Sequence, residues 1–308
     1  MANKSHLSIP KISEVDIVTT WVDGSDTSYL AQYNAYAKVP KHLNPERYRD
    51  PFDFLRYSLR SVRTYIPWVR KIYIVTARAQ CPSWLNPEHP QIELVHHDQI
   101  IEERYLPTFS SNVIESYLHR IPELADHFMF MNDDFLFGKP TSLDTYYRDG
   151  RYTVFNTLFG ENLGWRLYEK KNNIIGLGII EHTPFLANKV IYEQAFDILE
   201  KEVELTRRNQ FREPTDLVAY KLYRYCMLKY HQHCSRIIPV TALVKEHLFH
   251  KLLNNEQKQL AFFNKLRKQP VATYCLNDDL GSTPNQDVIE IVRRFLAESY
   301  PIPAPWEI

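Results

Sequence analysis

The sequence predicts an α/β protein: a mainly parallel central sheet flanked by helices, with a helix-rich C-terminal part. Three observations carry that expectation. Short apolar runs alternate with stretches of helical periodicity through the first half of the chain. Polar residues with chemical potential stand directly after those runs. Only 8 glycines occur in 308 residues while aromatics reach 13%, which suits helices packed on a sheet better than a glycine-punctuated β-sandwich.

Taken in order, residues 15–22 (VDIVTTWV) read as a buried strand, ended by the turn Asp23-Gly24-Ser25-Asp26. Leu55, Leu59, Val62 and Ile66 then recur at helical spacing until Pro67, with Arg56, Arg60 and Arg63 as a second stripe. Residues 71–77 (KIYIVTA) and 92–96 (IELVH) read as two further strands. Residues 112–121 read as a helix with Ile114, Leu118 and Ile121 inward and Asn112, Glu115 and His119 on its other face. Residues 128–131 (FMFM) form a fourth strand, followed at once by Asn132-Asp133-Asp134.

Beyond residue 156 the pattern is less regular. An apolar run at 173–180 is broken by Glu181-His182-Thr183-Pro184, helices are expected over 191–205, 216–230 and 287–300, and a basic loop covers 206–214. There is no repeat and no low-complexity linker, so the expectation is one catalytic domain over 1–308, with an α/β part at 1–156 and a helix-rich part at 157–308 completing the site.

Composition excludes several classes. Lys+Arg and Asp+Glu number 37 each, which argues against bulk electrostatic binding of nucleic acid. Four sparse cysteines argue against a disulfide framework and for a reducing compartment. No run approaches the roughly 18 apolar residues of a membrane span, and the first residues lack an apolar signal core. A cytoplasmic protein without a transmembrane segment is expected, touching a membrane at most peripherally.

In a parallel sheet, ligands sit beyond the carboxyl ends of the strands, where Asp23, Asp26 and Asn132 to Asp134 all fall. Paired carboxylates on a stiff strand end suit Mg²⁺ or Mn²⁺ gripping a diphosphate; the alternative is a solvated turn. Asp23 and Asp26 fit sugar contacts or an Asx-turn. The arginine stripe fits phosphate or a solvated helix face. Asn112 and Glu115 fit substrate contacts or a capping box, and His119 contact or packing. His182, beside Pro184, is placed like a loop general base. Cys226, His231, His233 and Cys234 match no common structural zinc spacing. Phosphate-loop, dinucleotide and nucleophile-elbow glycine motifs are absent.

Together, DIVTTWVDGSD (16–26), the stretch RYRDPFDFLRYSLRSVRTYIPWVRKIYIVTARAQCPSWL (47–85), LPTFSSNVIESYLHRIPELADHFMFMNDDFLFG (106–138) and YCLND (274–278) resemble the ordered blocks of the Stealth proteins, which are sugar-1-phosphate transferases. The third block, around His182-Thr183-Pro184 and Phe211-Arg212, is looser. The resemblance implies a nucleotide-sugar transferase-like fold and transfer of hexose 1-phosphate from a nucleotide sugar, a UDP-sugar by expectation. The acceptor would be a hydroxyl of a glycan or lipid-linked oligosaccharide, with UMP released. It further implies that Asp133 and Asp134 hold Mg²⁺ or Mn²⁺, that His182 deprotonates or orients the hydroxyl, and that Arg212 clamps the phosphoryl group. Asn277 and Asp278 would be further site residues, Asp23 would face the donor, and Arg56 and Arg60 are second choices for phosphate. The rivals are a metal-dependent glycosyltransferase releasing UDP and a non-catalytic nucleotide-sugar binder.

Overall fold

The computed structural model describes residues 12–39, 48–155, 182–238 and 240–308. Its strands are β1 (Asp16–Thr20), β2 (Ile72–Thr76), β3 (Ile92–His96), β4 (His127–Asn132), β5 (Phe135–Phe137), β6 (Tyr147–Arg148), β7 (Arg151–Phe155), β8 (Phe185–Asn188), β9 (Ser235–Ile238), β10 (His247–Leu252) and β11 (Thr273–Asp278). Its helices are α1 (Thr27–Tyr36), α2 (Phe54–Tyr65), α3 (His97–Ile100), α4 (Ser111–Glu115), α5 (Lys189–Asp197), α6 (Glu200–Arg207), α7 (Ala219–Tyr230), α8 (Val240–Glu246), α9 (Glu256–Lys268) and α10 (Gln286–Ser299). None of the described helices is long and apolar enough to cross a membrane.

The main sheet has the order β3-β2-β1-β4-β8. β1 runs parallel to β2 and β4, β2 parallel to β3, and β8 closes the edge antiparallel to β4. The central strands form because they are nearly continuous apolar runs: all of β2 and residues 16–19 of β1 are buried, as both-face coverage of a parallel sheet requires, while the edge strand β3 leaves Glu93 exposed. The one charge inside, Asp16, is held by Arg70 at 2.8 and 2.6 Å and by the Ala125 amide at 2.8 Å. From β1 the chain steps outward through β2 to β3, then returns to the other side of β1 with β4. The order reverses there, and at such a reversal α/β sheets bind ligands beyond the carboxyl ends of the strands, here β1 and β4.

A second sheet, β10-β11-β5, is built on the continuation of β4. β5 pairs antiparallel with β11, which pairs parallel with β10. Packing of α2, α9 and α10 against it forms a second apolar cluster around Phe52, Phe263, Phe295 and Leu136. A third, smaller sheet has the order β6-β7-β9.

Several expected elements change shape. The helix expected at 112–121 stops as α4 and becomes a 3₁₀ turn at Leu118–Arg120. Its N-cap is Ser110, so the capping box that was the alternative for Asn112 and Glu115 does not form. The interruption has a cause: the Ser116 carbonyl accepts from Arg207 Nη2 at 3.0 Å instead of continuing the ladder, and Arg120 N donates to Tyr117 O at 2.9 Å. The helix expected over 191–205 divides into α5 and α6 around Leu199, whose φ and ψ of −129° and 40° are not helical. The apolar run at 173–180 lies outside the described residues.

Candidate active site

The site is built on the tight turn between β4 and β5. Asp133 and Asp134 occupy that turn, and register fixes where they point. The Leu276 amide donates to the Asp134 carbonyl at 3.1 Å, and Cys275 Sγ donates to Asp134 Oδ2 at 3.2 Å. On the other flank α2 holds β5: Ser58 Oγ donates to Phe135 O at 2.7 Å, and Phe137 N donates to Ser61 Oγ at 3.0 Å. The turn is gripped from both sides.

The electrostatics are those of crowded carboxylates. Burial, followed by the neighbouring Asp134 and Asp50, pushes Asp133 well above the ordinary carboxylate range. Burial also raises Asp134, while His182, Cys275 and Asn277 pull it back. Asp50 is a third acid that sequence reasoning passed over. Burial pushes it up to about 6, although its Oδ1 accepts the Phe52 and Phe54 amides at 3.2 and 2.9 Å where α2 begins. Asp134 Oδ1 is buried with no hydrogen-bond partner among the described residues. Buried, crowded carboxylates whose charged forms are penalised are a fitting receptor for a hard divalent cation. Asp133 and Asp134 would hold it, with Asp50 beside them.

His182 arrives from the other half of the chain. Its backbone is in the left-handed region, φ 66°, uncommon for a residue with a side chain and a form of local strain often kept at functional sites. The ring packs 4.7 Å from Phe249 and 6.2 Å from Phe135, and Nδ1 is buried and unpartnered among the described residues. Potential ligand atoms of His182, Asp134 and Cys275 all lie within 4.8 Å of one another. The next residue anchors the loop: Thr183 Oγ1 is 3.3 Å from His247 Nδ1, which is 2.6 Å from Thr273 Oγ1. Burial holds His247 down near 4, so it is a neutral spacer at neutral pH.

Asn277 and Asp278 end β11 beside the acidic turn. Asp278 Oδ1 accepts the Leu280 amide at 2.9 Å and its Oδ2 faces Arg49 Nε at 3.4 Å, while Arg49 Nη2 donates to Gly281 O at 2.7 Å. Arg49 is a second residue that sequence reasoning missed. It and Asp50 follow Tyr48, whose carbonyl accepts the Gly24 amide at 2.8 Å. A Cβ on Gly24 would stand 2.4 Å from the Tyr48 carbonyl carbon and oxygen, so this close approach requires glycine.

Asp23, at the end of β1, spends one oxygen on its own loop. Oδ1 accepts from Ser25 N and Oγ at 2.8 and 2.5 Å, and the Asp23 backbone is clasped by the Gln80 amide at 3.0 and 2.9 Å. Asp26 is the N-cap of α1, accepting from Tyr29 N at 2.6 Å.

Arg212 is exposed and faces Glu115, which burial pushes up to about 7 and the Arg212 charge pulls down. Its neighbour Phe211 stacks on Phe109 at 5.0 Å in a cluster that reaches Val22 and Ala77, the residues just past β1 and β2. Phe211 thus ties the loop that carries Arg212 to the carboxyl ends of β1 and β2. Asn112 secures that loop: its Nδ2 donates to Asp216 Oδ2 at 3.3 Å, and Asp216 also binds Asn209 Nδ2 at 2.7 Å and Glu213 N at 2.9 Å.

Three expected substrate contacts have other partners. Arg56 Nε and Arg60 Nε each donate to Glu307 at 2.6 Å, and Arg60 Nη1 donates to Tyr300 O at 2.9 Å. These guanidinium groups fasten the C-terminal tail, because a buried carboxylate needs them more than solvent phosphate does. His119 is buried, stacked on Phe196 at 5.8 Å, and held down to about 3 by that burial; it is a packed residue.

Stealth protein conserved region 2 matches residues 47–155 and conserved region 4 matches 264–308. The chain is 32% identical to an exopolysaccharide phosphotransferase of Streptomyces coelicolor, covering 95% of this chain and 51% of that protein. It is also 32% identical to the exopolysaccharide phosphotransferase CpsY of Mycobacterium leprae, covering 96% and 57%. For the capsular polysaccharide phosphotransferase fcs1 of Haemophilus influenzae the identity is 32%, with 68% of this chain and 65% of that protein covered. The chain spans about half the length of the first two. Among solved structures, the galactosyltransferase LgtC in complex with donor and acceptor sugar analogs shares the fold, with a TM-score of 0.50 at 14% identity over 94% of this chain and 98% of that one. With both conserved regions landing on the elements that carry the acidic turn, Asp50, Asn277 and Asp278, this chain belongs to the Stealth protein family.

Proposed function

We propose that this chain transfers hexose 1-phosphate from a nucleotide sugar, a UDP-sugar, to a hydroxyl of a glycan or lipid-linked oligosaccharide in exopolysaccharide or capsule synthesis, releasing UMP. The observation that carries this reading is that Asp133, Asp134 and Asp50 lie together with His182 and Asn277 just past the carboxyl end of β4. The relatives' names support the chemistry, and a glycosyltransferase-like fold supports the donor class.

The chemistry follows from what phosphoryl transfer demands. Little covalent assistance is needed; positioning and charge neutralisation dominate. A bound Mg²⁺ or Mn²⁺ supplies charge neutralisation on the diphosphate. His182 accepts the proton of the attacking hydroxyl as its oxygen bonds to the phosphorus next to the sugar. The phosphoanhydride bond breaks, UMP departs with the bridging oxygen, and the sugar keeps its anomeric bond. Arg212 grips the phosphoryl oxygens. Asp23 and Asn277 face the donor, and Asp278, braced by Arg49, lines the acceptor side.

A second reading has one observation behind it: likeness of fold to a galactosyltransferase, in which case the sugar alone would move. Products separate the two. Incubation with a panel of UDP-hexoses, Mg²⁺ or Mn²⁺ and an oligosaccharide acceptor is expected to yield UMP, whereas UDP would establish the second reading.

A further inference from the structure

We infer that Asp134, His182 and Cys275 form a soft-metal site inside the catalytic centre, one that captures Zn²⁺ and thereby blocks the enzyme. The block rests on the proposed catalytic role of this centre, whereas the binding site stands on geometry alone.

A carboxylate oxygen, an imidazole nitrogen and a thiol sulfur come within 4.8 Å of one another from three separate elements: the β4–β5 turn, the loop before β8, and β11. That donor set differs from what a hard cation selects. Mg²⁺ takes oxygen ligands almost exclusively, while imidazole and thiolate favour Zn²⁺. Two of the donors are already waiting: Asp134 Oδ1 and His182 Nδ1 are buried without partners among the described residues. Cys275 is buried and spends its proton on Asp134 Oδ2 at 3.2 Å. Three protein ligands and one open position is the usual coordination of a reactive zinc site.

Capture balances simply. The Cys275 S–H bond breaks, a Zn–S bond forms, and the proton leaves to solvent with no change of oxidation state. Asp134 and His182 contribute lone pairs. Zinc held in this way occupies the imidazole that would otherwise take the hydroxyl proton and draws Asp134 away from the hard-cation side of the turn. Asp134 is thus shared between two kinds of metal, with Asp133 on one side and Cys275 on the other.

The described residues contain one other candidate, His231, His233 and Cys234, where the His231 ring nitrogen is 3.2 Å from Gln194 Oε1. The test must separate the two clusters and must not depend on turnover. Co²⁺ titration of the full chain in the presence of excess Mg²⁺ reads the near-ultraviolet thiolate-to-metal absorption band directly. The expected result is one equivalent of Co²⁺ giving the band, displaced by Zn²⁺, with loss of the band in Cys275→Ser and an affinity at least about tenfold weaker in His182→Ala. Persistence of the band in Cys275→Ser with its loss in Cys234→Ser would overturn the inference in favour of the distal cluster, and absence of any band would overturn it outright. A UMP assay with added Zn²⁺ then reads the block: a protein that gives the band but no UMP under any condition refutes the catalytic reading and leaves the metal site standing.

Discussion

At the level of single residues, the proposed function gives the acidic turn a cation to hold and His182 a proton to accept, and substitutions test both. Asp134→Asn and His182→Ala are each expected to lower turnover by at least about a hundredfold, the scale of a lost charge or proton-transfer group. Asp50→Asn is expected to lower activity through weakened cation binding, read as a smaller rise in melting temperature on adding Mn²⁺. Glu115 makes a different prediction. Its folded value of about 7 lies above its ordinary 4.5 because its charged form is penalised by burial. Its contribution to stability is complete below the unfolded value and is lost as pH rises through the folded one. The melting temperature is therefore expected to decline between pH 4.5 and 7, and Glu115→Gln should flatten that stretch. An unchanged slope in the variant would assign the decline to other groups.

Among the elements, the tail and the β1 loop act as fasteners. Glu307 is almost fully buried, with 2% of its side chain exposed, between Arg56 and Arg60. Its replacement by alanine strands two cations near the core and is expected to cost about 3 kcal/mol, with the melting temperature as readout. Turnover of the molecules that remain folded should stay close to the parent's, because the tail holds α2 from the side rather than lining the proposed site. Gly24→Ala has the opposite profile. The new Cβ must displace the Tyr48 backbone, so an overpacking cost of about 1–3 kcal/mol is expected together with loss of activity as Arg49 and Asp50 shift.

The same elements show how much the sequence disclosed. β1 to β4 were legible because each is a short, largely apolar run followed by polar residues, and the carboxyl end of β4 located the acidic turn. The 112–121 helix was misjudged because its interruption depends on Arg207, which meets Ser116 across 91 residues. The second sheet was largely invisible: β5 is three residues long and pairs with β11 more than a hundred residues later. For the same reason Cys275 carried no signal, since its thiol matters only through that register. The stripe of Arg56 and Arg60 was visible, but its true partner, Glu307, lies at the far end of the chain. Asp50 had a weak local cue, an acid just before Pro51 at a helix start, and was overshadowed by the arginines that follow.

For the molecule as a whole, the strand order reverses between β1 and β4, and under the proposed function both halves of the chain supply residues to that point. The first half brings carboxylates on stiff strand ends; the second brings His182, Arg212, Asn277 and Asp278. No single segment holds a complete site, so the activity should require both. The most direct measurement of the central claim is phosphorus NMR of the reaction of a UDP-hexose with an oligosaccharide acceptor in the presence of Mg²⁺. A phosphodiester resonance in the glycan product, growing together with UMP, is the expected result; a phosphorus-free glycan accompanied by UDP would contradict the account.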